Sequence, residues 1–266
     1  MGFQASSGSR VFISVVSHGH TKMIKEFRCL ERLAEKFDVV IKNNKPDNVL
    51  SDFCEESKIT LIDNDYGRGF GYNNNVIFNH CCSKLGMKDS DFFIVLNPDV
   101  IITNDSIVNL INKMSNHNVK AATINLYRDE ELTIYDDSVR RFPGCMDFVK
   151  SFIFGVNNSK LDKAVIDNFI PVDWCAGSFM AFRASAFKMV RGFDINYFMY
   201  CEDVDLCLRL SKKDVGIIYF PEIKAVHKAK HDNRKVFSKH FWWHVKSILF
   251  FIRAKNGLLK SKSNLI

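Results

Sequence analysis

"DFFIVLNPDV", residues 91–100, decides how the chain folds. Phe92 to Leu96 form an apolar run that reads as a strand. Pro98 ends it, because proline has no N–H to give to a ladder. Asp99 then stands just past a sheet edge with its carboxylate exposed. A hard divalent cation prefers such oxygens, and it needs only one or two protein ligands when phosphates supply the rest. Asn, Pro and Asp are also ordinary turn residues, so a plain turn is the competing account of these three residues.

The flanking sequence alternates strand and helix signals. "RVFISVVS" (10–17) is a buried, β-branched strand, and "TKMIKEFRCLERLAEKF" (21–37) places Ile24, Phe27, Leu30 and Leu33 on one helical face. Strands follow at 38–44 and 58–64. "GYNNNVIFNHCCSKLG" (71–86) reads as a loop opening into a helix that Gly86 ends, and 105–116 reads as a helix with Asp105 near its start. This alternation predicts an α/β fold, a mostly parallel central sheet flanked by helices. Ligands in such sheets bind beyond the carboxyl ends of the strands. Ser17-His18, Asn43-Asn44, Asn64 and Asn97-Pro98-Asp99 are therefore the candidate lining of one cleft.

The second half is less regular, with a strand at 215–220 and a long C-terminal helix. No repeat, low-complexity tract or composition break marks a linker. The expected organisation is a lead-in over 1–9, one domain over 10–230 and a basic, aromatic helical extension over 231–266.

A second stretch, "YFMYCEDVDLCLRL" (197–210), sets Glu202, Asp203 and Asp205 in apolar surroundings. Acids in a first helical turn suit the positive end of the helix dipole, which accounts for one or two of them. A carboxylate partly buried among Tyr and Phe has its pKa raised by desolvation, as a general base needs. Asp203 and Glu202 are the candidates, and capping alone is the alternative. Downstream, His227 follows the strand-like "IKAV". It is either structural or the completion of a metal shell begun by Asp99. His231, Arg234, Lys235 and Lys239 are spaced to surround a diphosphate. In "DYGRGFGYNNN" (65–75), glycines 67, 69 and 71 let backbone approach a ligand, although the pattern is not a phosphate-binding fingerprint.

Composition narrows the classes. With 24 Phe and 25% charged residues in a chain of 266, the protein is expected to bury a substantial core rather than remain disordered. The net charge of +7 does not require nucleic acid, because the basic residues are concentrated. Residues 234–266 hold eight Lys or Arg and no Asp or Glu, which points to an anionic membrane surface or a phosphorylated ligand. On the C-terminal helix Phe237, Phe241, Val245, Ile248, Leu249 and Ile252 share one face, while Lys239, Lys246 and Arg253 recur opposite. That pattern fits either a helix lying on an anionic leaflet or one packed on the core. The eight cysteines lack a C-x-x-C pair and read as reduced thiols of a cytosolic protein. "MGFQAS" matches a myristoylation pattern through Gly2 and Ser6 but is read as lead-in. No run of about 18 apolar residues offers a spanning helix.

Taken in order, "SVVSHGH", "GFGYNNN", "LNPDV", "WCAGSFMAFR", "GFDINYFMYCEDVDLCLRL" and "AVH" resemble the family 2 glycosyltransferases of the nucleotide-diphospho-sugar (GT-A) fold, over about residues 10–255. "SVRRFP" and "HDNRKVFSKHFWWHVKS" are similar to bacterial rhamnosyltransferases of O-antigen assembly. The resemblance implies dTDP-L-rhamnose as donor and N-acetylglucosaminyl-diphospho-undecaprenol as acceptor. It also implies Mg²⁺ or Mn²⁺ as cofactor, inversion at the anomeric carbon, and a place on the cytoplasmic face of the bacterial inner membrane. By the same resemblance Asp99 and His227 hold metal, and Asp203 is the base with Glu202 beside it. Ser17, Asn43, Gly69 and Asn74 contact the nucleoside, Trp174 and Gly177 floor the sugar site, and Arg234 belongs to the donor site. Asn43-Asn44 departs from the family's Asp-Asn pair, which loosens the expected base preference. The alternatives are a family 2 enzyme using UDP-galactofuranose or a UDP-hexose, and a non-catalytic sugar-nucleotide-binding protein. A nucleotidyltransferase should carry a Gly-rich basic loop where "SHGH" stands.

Overall fold

In the computed structural model, which describes residues 8–144, 159–228 and 239–266, the apolar run around Phe92 lies in the middle of the sheet. The strands are β1 (Val11–Ser17), β2 (Asp38–Asn43), β3 (Thr60–Ile62), β4 (Phe92–Leu96), β5 (Val100–Ile101), β6 (Ala121–Tyr127), β7 (Val139–Arg140), β8 (Ile170–Val172), β9 (Trp174–Cys175), β10 (Phe179–Arg183) and β11 (Ile217–His227). Among the described residues, nine strands form one sheet in the order β3-β2-β1-β4-β10-β6-β11-β5, with β8 also on β11, while β7 and β9 pair separately.

The four strands from β3 to β4 are parallel, as the alternating pattern predicts. The rest is mixed. β10 enters antiparallel to both β4 and β6, and β11 resumes parallel to β6. The cause is local. The chain enters β10 from β9 through Ala176–Ser178, which lies at the carboxyl end of β4, where Asn97 N–H donates to the Ser178 carbonyl at 3.0 Å. A strand that starts at that end must run back against β4.

Alternation along β4 splits the core in two. Phe92, Ile94 and Leu96 face one hydrophobic layer, with α1 (Thr21–Phe27), α2 (Cys29–Ala34), α3 (Asn48–Glu56) and α5 (Asn104–Asn116). Phe93 and Val95 face the other, with α4 (Phe70–Ser83), α6 (Ala184–Met189) and α7 (Glu202–Ser211). Each fully buried Phe contributes roughly 1.5–3 kcal/mol through removal from water.

Three elements differ from the sequence reading. The single helix of 21–37 breaks at Arg28, whose φ of 52° turns the chain between α1 and α2. The 215–220 strand runs on to His227, because a register shift between Phe220 and Lys224 lets it pass Pro221. The asparagines of the Gly-Asn loop lie inside α4.

The last helix, α8 (Lys239–Lys255), packs on the segment before α7. Ile248 and Phe251 join Tyr197, Cys201 and Val204 in a third cluster. The buried stripe is therefore rotated from the expected one. Leu249 is 52% exposed, and Trp242 is 59% exposed beside it. Beyond α8 the chain returns to α4, where Asn264 Oδ1 accepts from Asn75 Nδ2 at 2.8 Å and its carbonyl accepts from Asn79 at 2.9 Å. Among the described residues no helix is long and apolar enough to cross a membrane.

Candidate active site

The carboxyl ends of β1, β2 and β4 bring the predicted cleft together. The turn after β4 closes with Val100 N–H on the Asn97 carbonyl at 3.1 Å, and Asp99 sits within it. Antiparallel pairing of β5 with β11 sets His227 opposite Val100. His227 Nε2 thereby comes to 3.4 Å from Asp99 Oδ1, an electrostatic approach rather than a hydrogen bond. Asp99 Oδ1 is buried and has no hydrogen-bond partner among the described residues.

On the other side of the ring, His227 Nδ1 lies 3.0 Å from Asp136 Oδ2. Burial alone lowers the imidazole pKa, but the bond to Asp136 and the charge of Asp99 outweigh it and raise His227 to about 9. The sequence reading gave Asp136, beside Asp137, no role. The acidic doublet was its only signal, and the Tyr127–Tyr135 bridge that brings it to His227 cannot be read from spacing.

Asp99 and His227 suit a divalent cation as an incomplete pair. Among the described residues no group of three or more His, Cys, Asp or Glu converges to hold a metal ion. The orphaned Oδ1 and the nearby Nε2 fit a cation that takes its other ligands from phosphate and water. Asp136 fixes the ring, as a carboxylate behind a ligating histidine does.

The acidic segment resolves into three different carboxylates. Asp205 is buried and pairs with Arg209 Nε at 2.7 Å, one helical turn on. Glu202 is buried, its Oε2 has no partner among the described residues, and desolvation with help from Asp203 raises it to about 8. Asp203 is half-buried, so it keeps a path to a ligand. Its Oδ2 accepts from Gly177 N–H at 3.1 Å and its Oδ1 from Val204 N–H at 2.8 Å. Burial raises its pKa, against the pull of these amides and of Arg140. Only glycine fits at 177, because a Cβ there would lie 2.9 Å from the Phe70 ring.

The backbone before this helix is strained. Tyr200 and Cys201 both have positive φ, 71° and 64°. Such conformations cost about 1–3 kcal/mol each and persist only where the surroundings impose them. α8 imposes them here: Ser247 Oγ donates to the Met199 carbonyl at 2.8 Å, Trp243 packs on Phe198 and His244 on Tyr200. The aromatic wall expected from Phe198, Met199 and Tyr200 is thus partly a seat for α8.

The predicted nucleoside contacts divide. Ser17 is buried, with Oγ accepting from His20 N–H at 3.3 Å. Asn43 is buried too and donates to Asp63 Oδ1 at 2.8 Å, so the adjacent strand end supplies the carboxylate that the Asn43-Asn44 pair lacks. Asn74 holds the core instead: it accepts from Ser14 at 2.7 Å and donates to the Phe70 carbonyl at 3.0 Å. Gly69 leaves room for protein, since a Cβ there would lie 2.5 Å from the Phe198 carbonyl oxygen. Trp174 donates from Nε1 to the Arg141 carbonyl at 2.9 Å and carries the Arg140 guanidinium over its ring. Arg234, His231, Lys235, Phe237, Gly2 and Ser6 lie outside the described residues, as does the side chain of Lys239.

A mixed sheet of this order with Asp99 and His227 together at its strand ends has the GT-A glycosyltransferase fold, and comparison with known proteins agrees. The chain is 41% identical to Rhamnosyltransferase WbbL of Escherichia coli (strain K12) over 251 residues, 93% of this chain and 94% of that one. It is 32% identical over 174 residues to an N-acetylglucosaminyl-diphospho-decaprenol L-rhamnosyltransferase of Mycobacterium tuberculosis, covering 63% of this chain and 56% of that one. Solved structures of like fold include S. aureus TarS 1-349 in complex with UDP-GlcNAc (TM-score 0.58, 13% identity, 96% of this chain and 68% of that one). GalNAc-T7 with UDP, GalNAc and Mn²⁺ is another (TM-score 0.58, 11% identity, 92% and 48%). No protein-family profile matches the chain. The chain belongs to the family 2 glycosyltransferases that include the bacterial rhamnosyltransferases.

Proposed function

We propose that this protein transfers L-rhamnose from dTDP-L-rhamnose to N-acetylglucosaminyl-diphospho-undecaprenol, inverting the anomeric centre. The observation that carries the reading is Asp203: a half-buried carboxylate of raised pKa, held between two backbone amides at the cleft. It accepts the proton of the acceptor hydroxyl as that oxygen attacks. A single displacement needs one such base and no protein nucleophile. Glu202, buried beside it, has its own pKa raised by burial and by the Asp203 charge.

Asp99 and His227 are the residues that would hold Mg²⁺ or Mn²⁺. When bound, the cation neutralises charge on the departing nucleoside diphosphate. Asn43 and Asp63 offer an amide and a carboxylate to a pyrimidine edge, which suits a thymidine nucleotide. Similarity to a rhamnosyltransferase over 93% of the chain supports the sugar, and the mycobacterial relative supports a lipid-linked GlcNAc acceptor.

A lipid-linked acceptor supports a location at the cytoplasmic face of the inner membrane. Trp242, Lys246, Leu249 and Arg253 recur along the exposed side of α8, the pattern of a helix seated on anionic lipid. The test is a donor panel, dTDP-rhamnose against UDP-sugars, with GlcNAc-diphospho-lipid, read by mass spectrometry. A deoxyhexose added from dTDP-rhamnose supports the reading, and transfer only from a UDP-sugar rejects it.

A further inference from the structure

We propose that Arg140 receives the diphosphate of the lipid-linked acceptor. The assignment rests on the acceptor class proposed above and starts from four cations on one strip of the fold. Arg128 and Lys160 both pair with Asp137, at 2.9 and 2.7 Å. Lys163 is buried and donates to Ser138 Oγ at 3.0 Å. Arg140 differs. Its Nε donates to the Asp137 carbonyl at 2.8 Å, and its guanidinium lies 5.3 Å from the centre of the Trp174 ring. These two contacts fix the plane of the group. Its Nη1 and Nη2 have no acceptor among the described residues. A planar fork held in this way is suited to two phosphate oxygens at once.

Its position names the ligand. Pairing of β7 with β9 sets Arg140 opposite Trp174, three residues before Gly177, whose amide holds Asp203. The Arg140 charge is felt both by Asp203 and by His244 of α8. It therefore lies near the base and near the helix whose outer face carries Trp242 and Leu249. A lipid-linked sugar brings the same three parts together: a hydroxyl for the base, a diphosphate beside it, and a lipid. A dianion in that place meets a partly desolvated cation, where the attraction exceeds that in water.

The experiment compares full-length wild type, Arg140→Gln and Arg140→Lys on two synthetic acceptors with the same short alkyl tail. One is an α-GlcNAc diphosphate ester and the other a neutral α-GlcNAc glycoside. Wild type should prefer the diphosphate in kcat/KM, and R140Q should lose on the order of ten- to a hundred-fold more on that acceptor than on the neutral glycoside, which registers only the lost pull of Arg140 on Asp203. R140K should recover part of the loss. KM for dTDP-rhamnose, and metal-dependent donor hydrolysis as the check of folding, should stay at wild-type values. A wild-type preference retained by R140Q, or a rise in donor KM that places Arg140 on the donor's diphosphate, would overturn the assignment. If wild type used neither acceptor, the acceptor class itself would be wrong, and this role for Arg140 with it.

Discussion

The backbone amide of Gly177 donates to Asp203 Oδ2 at 3.1 Å, tying the loop before β10 to the first turn of α7. That bond aims the carboxylate and leaves a partly open side for an acceptor. Asp203→Asn keeps the shape and removes the basicity. Transfer should fall by roughly a hundred- to ten-thousand-fold, the usual worth of a general base. Donor affinity, measured by calorimetry, should not move. Turnover near the wild-type rate would assign the base elsewhere.

Glu202 makes stability depend on pH. Its folded pKa of about 8 lies above the ordinary 4.5, so the folded protein holds a proton that the unfolded chain releases. The contribution is whole below the ordinary value and is lost as pH rises toward about 8. Glu202→Gln does not titrate, so it should melt about 2–4 °C above wild type at alkaline pH and lose that advantage toward about pH 4.5. Parallel melting curves for the two proteins across this range would refute the burial of an unpaired carboxyl.

Asp136 should matter through His227. Asp136→Asn keeps a hydrogen-bonding group but removes the charge that orients and polarises the ring. The Mn²⁺ concentration for half-maximal donor hydrolysis should rise roughly 10–100-fold. A titration curve that superimposes on wild type would confine Asp136 to a packing role.

α8 has two faces with separable effects. Trp242→Glu with Leu249→Glu alters only the exposed side, so binding to anionic vesicles in flotation should drop while transfer to a short-tailed acceptor persists. Trp243→Ala removes the packing on Phe198 and should lower kcat instead. Equal vesicle binding by the double variant would take lipid contact away from this face.

The alternating first half, the break at Asn97-Pro98 and the conspicuous acids at 202–205 were legible because each is a local signal: strand and helix periods, a missing N–H, a charge among aromatics. The family resemblance added roles for Asp99, His227 and Asp203, and the structure brings the first two to 3.4 Å. What stayed hidden depends on partners remote in sequence. Asn74 reads as a ligand-facing loop residue until Ser14, 60 positions earlier, is seen to donate to it. Gly69 reads as room for a ligand until Phe198 is found against it.

By itself, then, the sequence determined the α/β class, the parallel first half and the residue types able to do the chemistry, because periodicity and backbone chemistry are properties of neighbours along the chain. Tertiary structure decided the direction of β10, the pairing of His227 with Asp136, the seat of α8 and the different lots of Glu202, Asp203 and Asp205. Those follow from which groups lose water and which meet a partner, and burial and pairing across scores of residues are set only when the sheet has closed.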